Sequence, residues 1–192
     1  MIISRTPLRM SFVGGGTDLA SYYRHEHGAV VSTTIDKYVY IMIDHNYDKD
    51  KIRLSYSRLE EVTDPDNIKH DIIREAIKLT KTPKGIALIV HSEVPSKGSG
   101  LGSSSTFTVG LLNALYSYQG KRKSAHDLAK DASRIEIDIL KNPIGKQDQY
   151  AAAFGGFNYI TFNTDDSVFV NPVVMSKKVK LKLHKNLIVF NT

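Results

Sequence analysis

Cysteine is absent from the 192 residues, so the chain can form neither disulfide bonds nor thiolate metal sites. Long apolar runs are also absent. No stretch approaches the ~20 residues that a membrane-spanning helix needs, and the N-terminal residues lack the apolar core of a secretory signal. From these absences we expect a cytoplasmic protein in a reducing compartment, with no membrane partner.

Concentrated charge of one sign is missing as well. Lys and Arg number 26 against 20 Asp and Glu, which gives a net charge of +6, but the basic residues are scattered. The triplet Lys121-Arg122-Lys123 predicts a solvated loop between two helices. Because a nucleic-acid-binding module needs a basic stripe with interleaved aromatic residues, we expect no nucleic-acid partner. The mild positive charge suits small anions such as nucleotides and sugar phosphates.

Strand patterns and helix patterns alternate along the chain, which predicts an α+β domain with a mostly antiparallel sheet backed by helices. The predicted strands cover residues 2–4, 10–13, 29–35, 38–43, 52–56, 86–91, 157–162, 168–173 and 187–190. The predicted helices cover residues 19–24, 66–79, 124–141 and 147–154, together with a helix that starts at Ser103.

Residues 98–120 contain no charged side chain, and glycines at 98, 100 and 102 lead into three serines and an apolar helix. A helix that is apolar on every side is buried, so we expect this one at the centre of the domain. Glycines let the backbone approach a phosphate, and a helix N-terminus attracts it. The pattern therefore predicts either a polyphosphate site or a serine-capped helix after a flexible loop. A Walker A motif and a dinucleotide fingerprint do not fit these residues.

The predicted helix at 124–141 carries a carboxylate on its apolar face. Glu136 falls within an arc of apolar residues at 100° steps. The members of this arc are Leu128, Ala129, Ala132, Ile135, Ile139 and Leu140. A buried carboxylate is costly unless it pairs with a basic side chain or binds a cation, and the pattern leaves both possibilities open.

A second acid, Asp148, follows twelve residues after Glu136 and lies at the start of a short predicted helix. Its spacing alone favours a carboxylate that stabilises the first turn of that helix. The functional alternative is a base, or an electrostatic partner, that faces a substrate hydroxyl.

Three separated motifs together resemble the GHMP kinases, a family that includes galactokinase, homoserine kinase, mevalonate kinase and phosphomevalonate kinase. The motifs are the segment TPLRMSFVGGGTDL at 6–19, the run GLGSS at 100–104, and GKQDQ at 145–149 with Glu136 upstream. The likeness covers essentially the whole chain. The sequences GGGTD and GKQDQY are most similar to the corresponding motifs of the D-glycero-D-manno-heptose 7-phosphate kinases of this family.

The resemblance implies ATP and Mg²⁺ as cofactors and a set of residues that bind them. Mg²⁺ would be held by Ser104 and Glu136, with Ser103 as the alternative to Ser104. The ATP-binding residues would be Gly98, Ser99, Gly100, Leu101, Gly102, Ser103, Ser104 and Ser105.

The resemblance also implies the catalytic and acceptor sites. Asp148 would face the acceptor hydroxyl, and Arg9 would lie beside Asp148 and the transferring phosphoryl group. For Lys146 and Arg24 we favour solvated surface positions, with binding of a phosphate on the substrate as the alternative. The substrate-binding residues would be Gly15, Gly16, Thr17 and Asp18.

The implied fold is the GHMP kinase N-terminal domain, which is similar to domain 2 of ribosomal protein S5. We expect this domain to span residues 1–180, and residues 181–192 to begin a C-terminal domain whose remainder is absent. The implied activity is phosphorylation of a sugar or sugar phosphate, with the anomeric hydroxyl of D-glycero-D-manno-heptose 7-phosphate as the leading expectation. A fucose- or galactose-type kinase and a non-catalytic sugar- or nucleotide-binding relative are the alternatives. The sequence predicts no oligomeric state.

Overall fold

The computed structural model describes residues 1–94 and 100–188. In this part of the chain seven strands form one sheet, and six α-helices accompany it. The strands are β1 (Ile2–Val13), β2 (Gly28–His45), β3 (Ile52–Ser55), β4 (Leu59–Val62), β5 (Ile86–Ser92), β6 (Phe157–Phe162) and β7 (Val168–Pro172). The helices are α1 (Ala20–Tyr23), α2 (Asp71–Thr80), α3 (Ser103–Tyr118), α4 (Ala125–Ser133), α5 (Gln147–Phe154) and α6 (Lys177–Lys185).

The 18-residue strand β2 organises the sheet, whose order is β4-β3-β5-β2-β6-β7 with β1 also paired to β2. Strand β1 pairs antiparallel along most of β2. Residues 28–33 of β2 pair with β6, and residues 39–45 pair with β5. Among the described strand pairs, β3 with β5 is the parallel one. The predicted α+β class with a mostly antiparallel sheet is therefore confirmed.

Two pairs of predicted strands are in fact single strands. The predicted strands at 2–4 and 10–13 are both part of β1, which continues through Pro7 with a shift of register between Pro7 and Arg9. Such an irregularity accommodates a residue that has no backbone N–H to donate. The strand β2 likewise continues through Asp36 and Lys37, whose side chains are exposed.

Helix α3 is the central helix, as predicted. It packs against β1 and β2 on one side and against α2, α4 and α5 on the others. Gly110 allows its close approach to the sheet, because a Cβ there would lie 2.7 Å from Thr6 Oγ1. The buried residues around α3 include Ile41, Ile43, Leu54, Ile73, Ile77, Leu88, Leu111, Leu112 and Leu115.

The predicted helix at 124–141 is divided into two parts. Ser124 Oγ accepts a hydrogen bond from the Asp127 backbone N at 3.0 Å, so Ser124 caps the start of this helix. After α4 the segment Arg134–Ile139 is π-helical. The wider π turn changes the direction in which the following side chains point. Ile139 is therefore 40% exposed, although the 100° spacing of a regular α-helix placed it on the buried face. The prediction for Ile139 was therefore wrong.

Strand β4 and helix α6 were not predicted from the sequence. The predicted strand at 187–190 is not present at Leu187 and Ile188, and its other two residues lie outside the described part. The domain boundary at residue 180 stays a prediction. No helix in the described ranges is both long and apolar enough to cross a bilayer.

Candidate active site

The two residues expected to be catalytic lie together at one end of α3. Arg9 comes from β1 and Asp148 from the first turn of α5. Arg9 Nε donates to Asp148 Oδ1 at 2.6 Å, and both side chains are largely shielded from solvent. Arg9 Nη1 also donates to the Gly100 carbonyl oxygen at 2.7 Å. One guanidinium therefore joins the acid to the loop that enters α3.

Gly102 fits closely against this ion pair. Its φ is +73°, a conformation that favours glycine. A Cβ at this position would lie 3.1 Å from Asp148 Oδ2 and 3.3 Å from Arg9 Cγ. The N-terminal turn of α3 is therefore next to the two charged side chains. A helix N-terminus attracts anions through its backbone N–H groups and its dipole, so a phosphate is the natural ligand here.

Glu136 is fully buried in the π-helical segment and forms hydrogen bonds with two neighbouring helices. Ser104 Oγ, in α3, donates to Glu136 Oε1 at 2.8 Å. Gln149 Nε2, in α5, donates to Glu136 Oε2 at 2.7 Å, and Ser105 provides another side-chain hydrogen bond. Burial raises the pKa of the Glu136 carboxyl, and the nearby Asp148 charge adds to the effect.

The oxygen atoms of Ser104 and Glu136 suit a hard cation. Mg²⁺ is commonly held by one or two protein carboxylates together with the phosphates of its substrate and waters. Within residues 1–94 and 100–188, no cluster of three or more His, Cys, Asp or Glu side chains could hold a metal ion. The donor set therefore fits a cation that arrives with a polyphosphate rather than one held by protein alone.

The glycine turn after β1 contacts the start of α5. Gly14 and Gly16 have φ values of +94° and +93°. A Cβ on Gly14 would lie 1.9 Å from the Ala29 carbonyl oxygen, so the turn passes directly over β2. Thr17 Oγ1 accepts from the Ala29 backbone N at 3.0 Å. Asp18 is buried and accepts a hydrogen bond from the Gln147 backbone N at 3.0 Å.

The comparisons with known proteins agree with this geometry. Residues 70–156 match the family model for the GHMP kinases N terminal domain. The chain has the fold of this domain. It is 34% identical to the D-glycero-alpha-D-manno-heptose 7-phosphate kinase of Campylobacter jejuni, with 100% of the chain and 59% of the relative covered. It is 26% identical to the galactokinase of Thermosipho africanus, with 82% and 45% covered.

A solved structure of similar fold is the D-glycero-D-manno-heptose 1-phosphate kinase from Bacteroides thetaiotaomicron. The two structures superpose with a TM-score of 0.86 at 31% identity, over 93% of this chain and 62% of the other. The chain thus spans about three fifths of the lengths of these two heptose phosphate kinases. The resemblance to the GHMP kinases and the expected fold are confirmed.

A cavity of about 450 Å³ opens beside the first turn of α3. Ser103 and Ser104 line one end. The aromatic rings of Tyr56, His70 and Phe107 line another part. The centroid of the His70 ring lies 5.1 Å from that of Tyr56 and 5.2 Å from that of Phe107. Burial lowers the pKa of His70. These residues could not be predicted as a group, because the three rings are far apart in the sequence and form no local sequence pattern.

The two cations considered for a substrate phosphate, Lys146 and Arg24, both contact Asp166. Lys146 Nζ donates to Asp166 Oδ1 at 2.9 Å, and Arg24 Nη2 lies 3.5 Å from Asp166 Oδ2. Tyr23 also donates to Asp166 at 2.7 Å. These hydrogen bonds, from Tyr23 and Lys146 in that order, lower the pKa of Asp166 to about 2.

The structure thus gathers most of the predicted site residues around the start of α3. Arg9 and Asp148 are paired, and Ser104 and Glu136 are hydrogen-bonded. Gly98 and Ser99 lie outside the described residues. The roles assigned to individual residues, including the ATP-binding, substrate-binding and metal-binding roles, stay predictions.

Proposed function

We propose that the chain contributes the catalytic site of an ATP- and Mg²⁺-dependent kinase that phosphorylates a sugar phosphate. The observation that carries this proposal is the Arg9–Asp148 ion pair of 2.6 Å, packed against Gly102 at the N-terminus of α3. Phosphoryl transfer depends on positioning and charge neutralisation more than on covalent help from the protein. An acid, a cation and a helix N-terminus in contact supply these requirements.

The nucleotide would lie along the start of α3. Its phosphates would contact residues 100–105, where Gly100 and Gly102 have positive φ, and its flat base would enter the aromatic cavity next to Ser103. Ser104 and Glu136 would hold Mg²⁺, which neutralises phosphate charge when bound. The two carboxylates would then have separate roles, since Glu136 is buried and Asp148 is partly accessible.

Asp148 would act on the acceptor hydroxyl. Arg9 holds Asp148 Oδ1, which leaves Oδ2, the atom nearest to Gly102, to accept a hydrogen bond from the acceptor. The carboxylate would orient this hydroxyl and accept its proton late in the transfer. Arg9 would meanwhile offset negative charge on the transferring phosphoryl group.

We propose a heptose phosphate as the acceptor, with the anomeric hydroxyl of D-glycero-D-manno-heptose 7-phosphate as the reacting group. The 34% identity to a heptose 7-phosphate kinase over the whole chain supports this substrate class. The sugar would lie against the turn at Gly15, Gly16 and Thr17, which borders the start of α5. A cytoplasmic location and the absence of nucleic-acid and membrane partners stay predictions.

The test is ADP release by the protein that carries this chain, with ATP, Mg²⁺ and a panel of heptose 7-phosphate, galactose, fucose and mannose. We expect release with the heptose phosphate. Asp148→Asn should lower kcat by about 100-fold or more, which is the usual contribution of a general base, with ADP affinity within about twofold of wild type. Asp71→Asn is the matched control, because Asp71 also lies in the first turn of a helix and binds an arginine, Arg74, at 2.7 Å.

Two outcomes would contradict the proposal. Normal turnover by Asp148→Asn would remove the acid from the mechanism. Nucleotide binding without ADP release for any sugar would favour a non-catalytic binding protein.

A further inference from the structure

Gln149 is a polar side chain in the interior of the domain, with 0% of its surface exposed. Its Nε2 donates to Glu136 Oε2 at 2.7 Å. Its Oε1 is buried and has no hydrogen-bond partner among the described residues. An unpaired buried oxygen destabilises a fold, and an apolar side chain of the same length would avoid it. Stability alone therefore does not explain a glutamine at 149, and its hydrogen bond to Glu136 is the feature that an apolar residue would lack.

The two oxygen atoms of the Glu136 carboxylate have different surroundings. Oε1 accepts from Ser104 Oγ at 2.8 Å, and Ser104 is exposed and lines the cavity at the start of α3. Oε2 accepts from the Gln149 amide, which is buried on α5. Oε1 therefore lies on the side of the cavity, and Oε2 lies on the side of the core.

The Gln149 amide holds the carboxylate without removing its charge. No salt bridge within residues 1–94 and 100–188 involves Glu136. A lysine or arginine partner would neutralise the charge that attracts a cation. An amide N–H instead forms a strong hydrogen bond to the ionised group and leaves its negative charge in place. Such a bond to the second oxygen also fixes the orientation of the carboxylate.

A carboxylate that is held through one oxygen offers a metal ion the other. Mg²⁺ requires near-octahedral geometry, and the two oxygens of one carboxylate are too close together to fill two octahedral positions, whereas Ca²⁺ readily takes both. From this geometry we infer that Gln149 is a positioning residue that makes the site selective for Mg²⁺ over Ca²⁺. It keeps Oε2 engaged in the core and leaves Oε1, beside Ser104, for the cation. The inference rests on the metal site of the proposed kinase.

The experiment compares Gln149→Met with wild type in nucleotide binding. Methionine has the length of glutamine but no N–H to donate, so it releases Oε2 and lets the carboxylate turn. Calorimetry measures the affinity for ADP in EDTA, at saturating Mg²⁺ and at saturating Ca²⁺. We expect wild type to bind ADP more tightly with Mg²⁺ than with Ca²⁺. In Gln149→Met the ratio of these two affinities should fall by about tenfold or more, with the ADP affinity in EDTA within about twofold of wild type.

Gln119→Met is the matched control. Gln119 also donates through Nε2, to Thr82 Oγ1 at 2.8 Å, but it lies at the other end of α3. This variant should keep the wild-type ratio. Gln149→Leu repeats the test with a side chain of different shape and should change the ratio in the same direction as Gln149→Met. An unchanged ratio in both variants, whether the two metal complexes weaken together or not at all, would overturn the inference.

Binding of the two metals separates this inference from the proposed function. If wild type transfers no phosphoryl group to any sugar, the proposed function fails, and the ratio of affinities with Mg²⁺ and Ca²⁺ still tests Gln149 in a nucleotide-binding protein. If wild type is an active kinase and the Gln149 variants keep its ratio, the inference alone fails. Equal affinity of wild type for ADP with either metal would also contradict the inference.

Discussion

Replacing Glu136 with glutamine should stabilise the domain in the absence of Mg²⁺ and nucleotide while it weakens their binding. The Glu136 carboxylate is 0% exposed, and no salt bridge among the described residues involves it. Burial raises its pKa despite hydrogen bonds from Gln149, Ser104 and Ser105. A buried charge without a counterion destabilises the folded state.

The size of the effect follows from the burial of one charge and from the hydrogen bonds that partly offset it. Burying a carboxylate without a counterion costs several kcal/mol, and hydrogen bonds to the charged group offset most of this cost. Glutamine has the same shape as glutamate. Its NH₂ group can donate to Gln149 Oε1, a buried atom without a hydrogen-bond partner in the structure, once the Gln149 amide turns over from its present orientation, in which Nε2 faces residue 136. We expect Glu136→Gln to raise the free energy of unfolding by about 1–2 kcal/mol, and Tm by about 3–6 °C for a chain of this size.

The pH dependence gives this prediction a distinctive signature. The folded-state pKa of Glu136 lies above its unfolded value, so the protonated carboxyl stabilises the fold fully below the unfolded pKa. This stability is lost as the pH rises through the folded pKa. The advantage of Glu136→Gln should therefore be small near pH 4 and largest at neutral pH, as measured by thermal unfolding in EDTA over about pH 4–8.

Glu60→Gln is the control of opposite sign. Glu60 is also buried, and although burial alone would raise its pKa, hydrogen bonds from Tyr56 and the Lys69 backbone lower it overall. Its carboxylate therefore stabilises the fold above its unfolded pKa, and Glu60→Gln should lower Tm at neutral pH. If Glu136→Gln lowers Tm at neutral pH in the same way, Glu136 is a structural carboxylate and the reasoning is refuted. Affinity for Mg-ADP, measured by calorimetry, should fall at least tenfold in Glu136→Gln.

Two further substitutions test the neighbours of these acids. Gln149→Leu removes the 2.7 Å hydrogen bond to Glu136 and should weaken Mg²⁺ binding by about 10-fold or more, with ADP affinity in EDTA unchanged. Calorimetry with and without Mg²⁺ measures the affinities for Mg²⁺ and for ADP. Gln119 lies at the other end of α3, so the control Gln119→Leu should leave both affinities unchanged. Gly102→Ala puts a methyl group 3.1 Å from Asp148 Oδ2 at a φ of +73° and should lower kcat at least tenfold and stability by about 1 kcal/mol. Wild-type kcat in Gly102→Ala would show that the approach of α3 to Asp148 is unimportant for transfer.

The sequence predicted the central helix because its signal is local. The uncharged stretch 98–120 and its all-round apolar pattern require burial wherever the rest of the chain lies. The Ser124 cap is equally local, since the hydroxyl reaches a backbone N–H three residues on. Burial of Glu136 was visible in the same way, because the 100° spacing still holds at Ile135 and Glu136, the second and third residues of the π-helical segment.

Other elements have no such signal. Strand β4 has the sequence Leu-Glu-Glu-Val, whose charges obscure its alternation, and it is held by pairing with β3. In α6 no residue is buried, and its lysines alternate with apolar residues at the period of a strand. The Ser176 hydroxyl, which accepts from the Val179 backbone N at 3.3 Å, was the one local indication of this helix.

The candidate site shows most clearly where local reasoning ends. Asp148 and Asp71 are both first-turn carboxylates, and each binds an arginine at about the same distance. Asp71 binds Arg74, three residues away on its own helix, which stabilises α2 alone. Asp148 binds Arg9, 139 residues away, and only because the packing of α5 and β1 against α3 brings the two elements together. The same local pattern therefore predicts the same role for both acids. The catalytic role that we propose for Asp148 alone rests on the tertiary contacts that place Arg9 and Gly102 beside it.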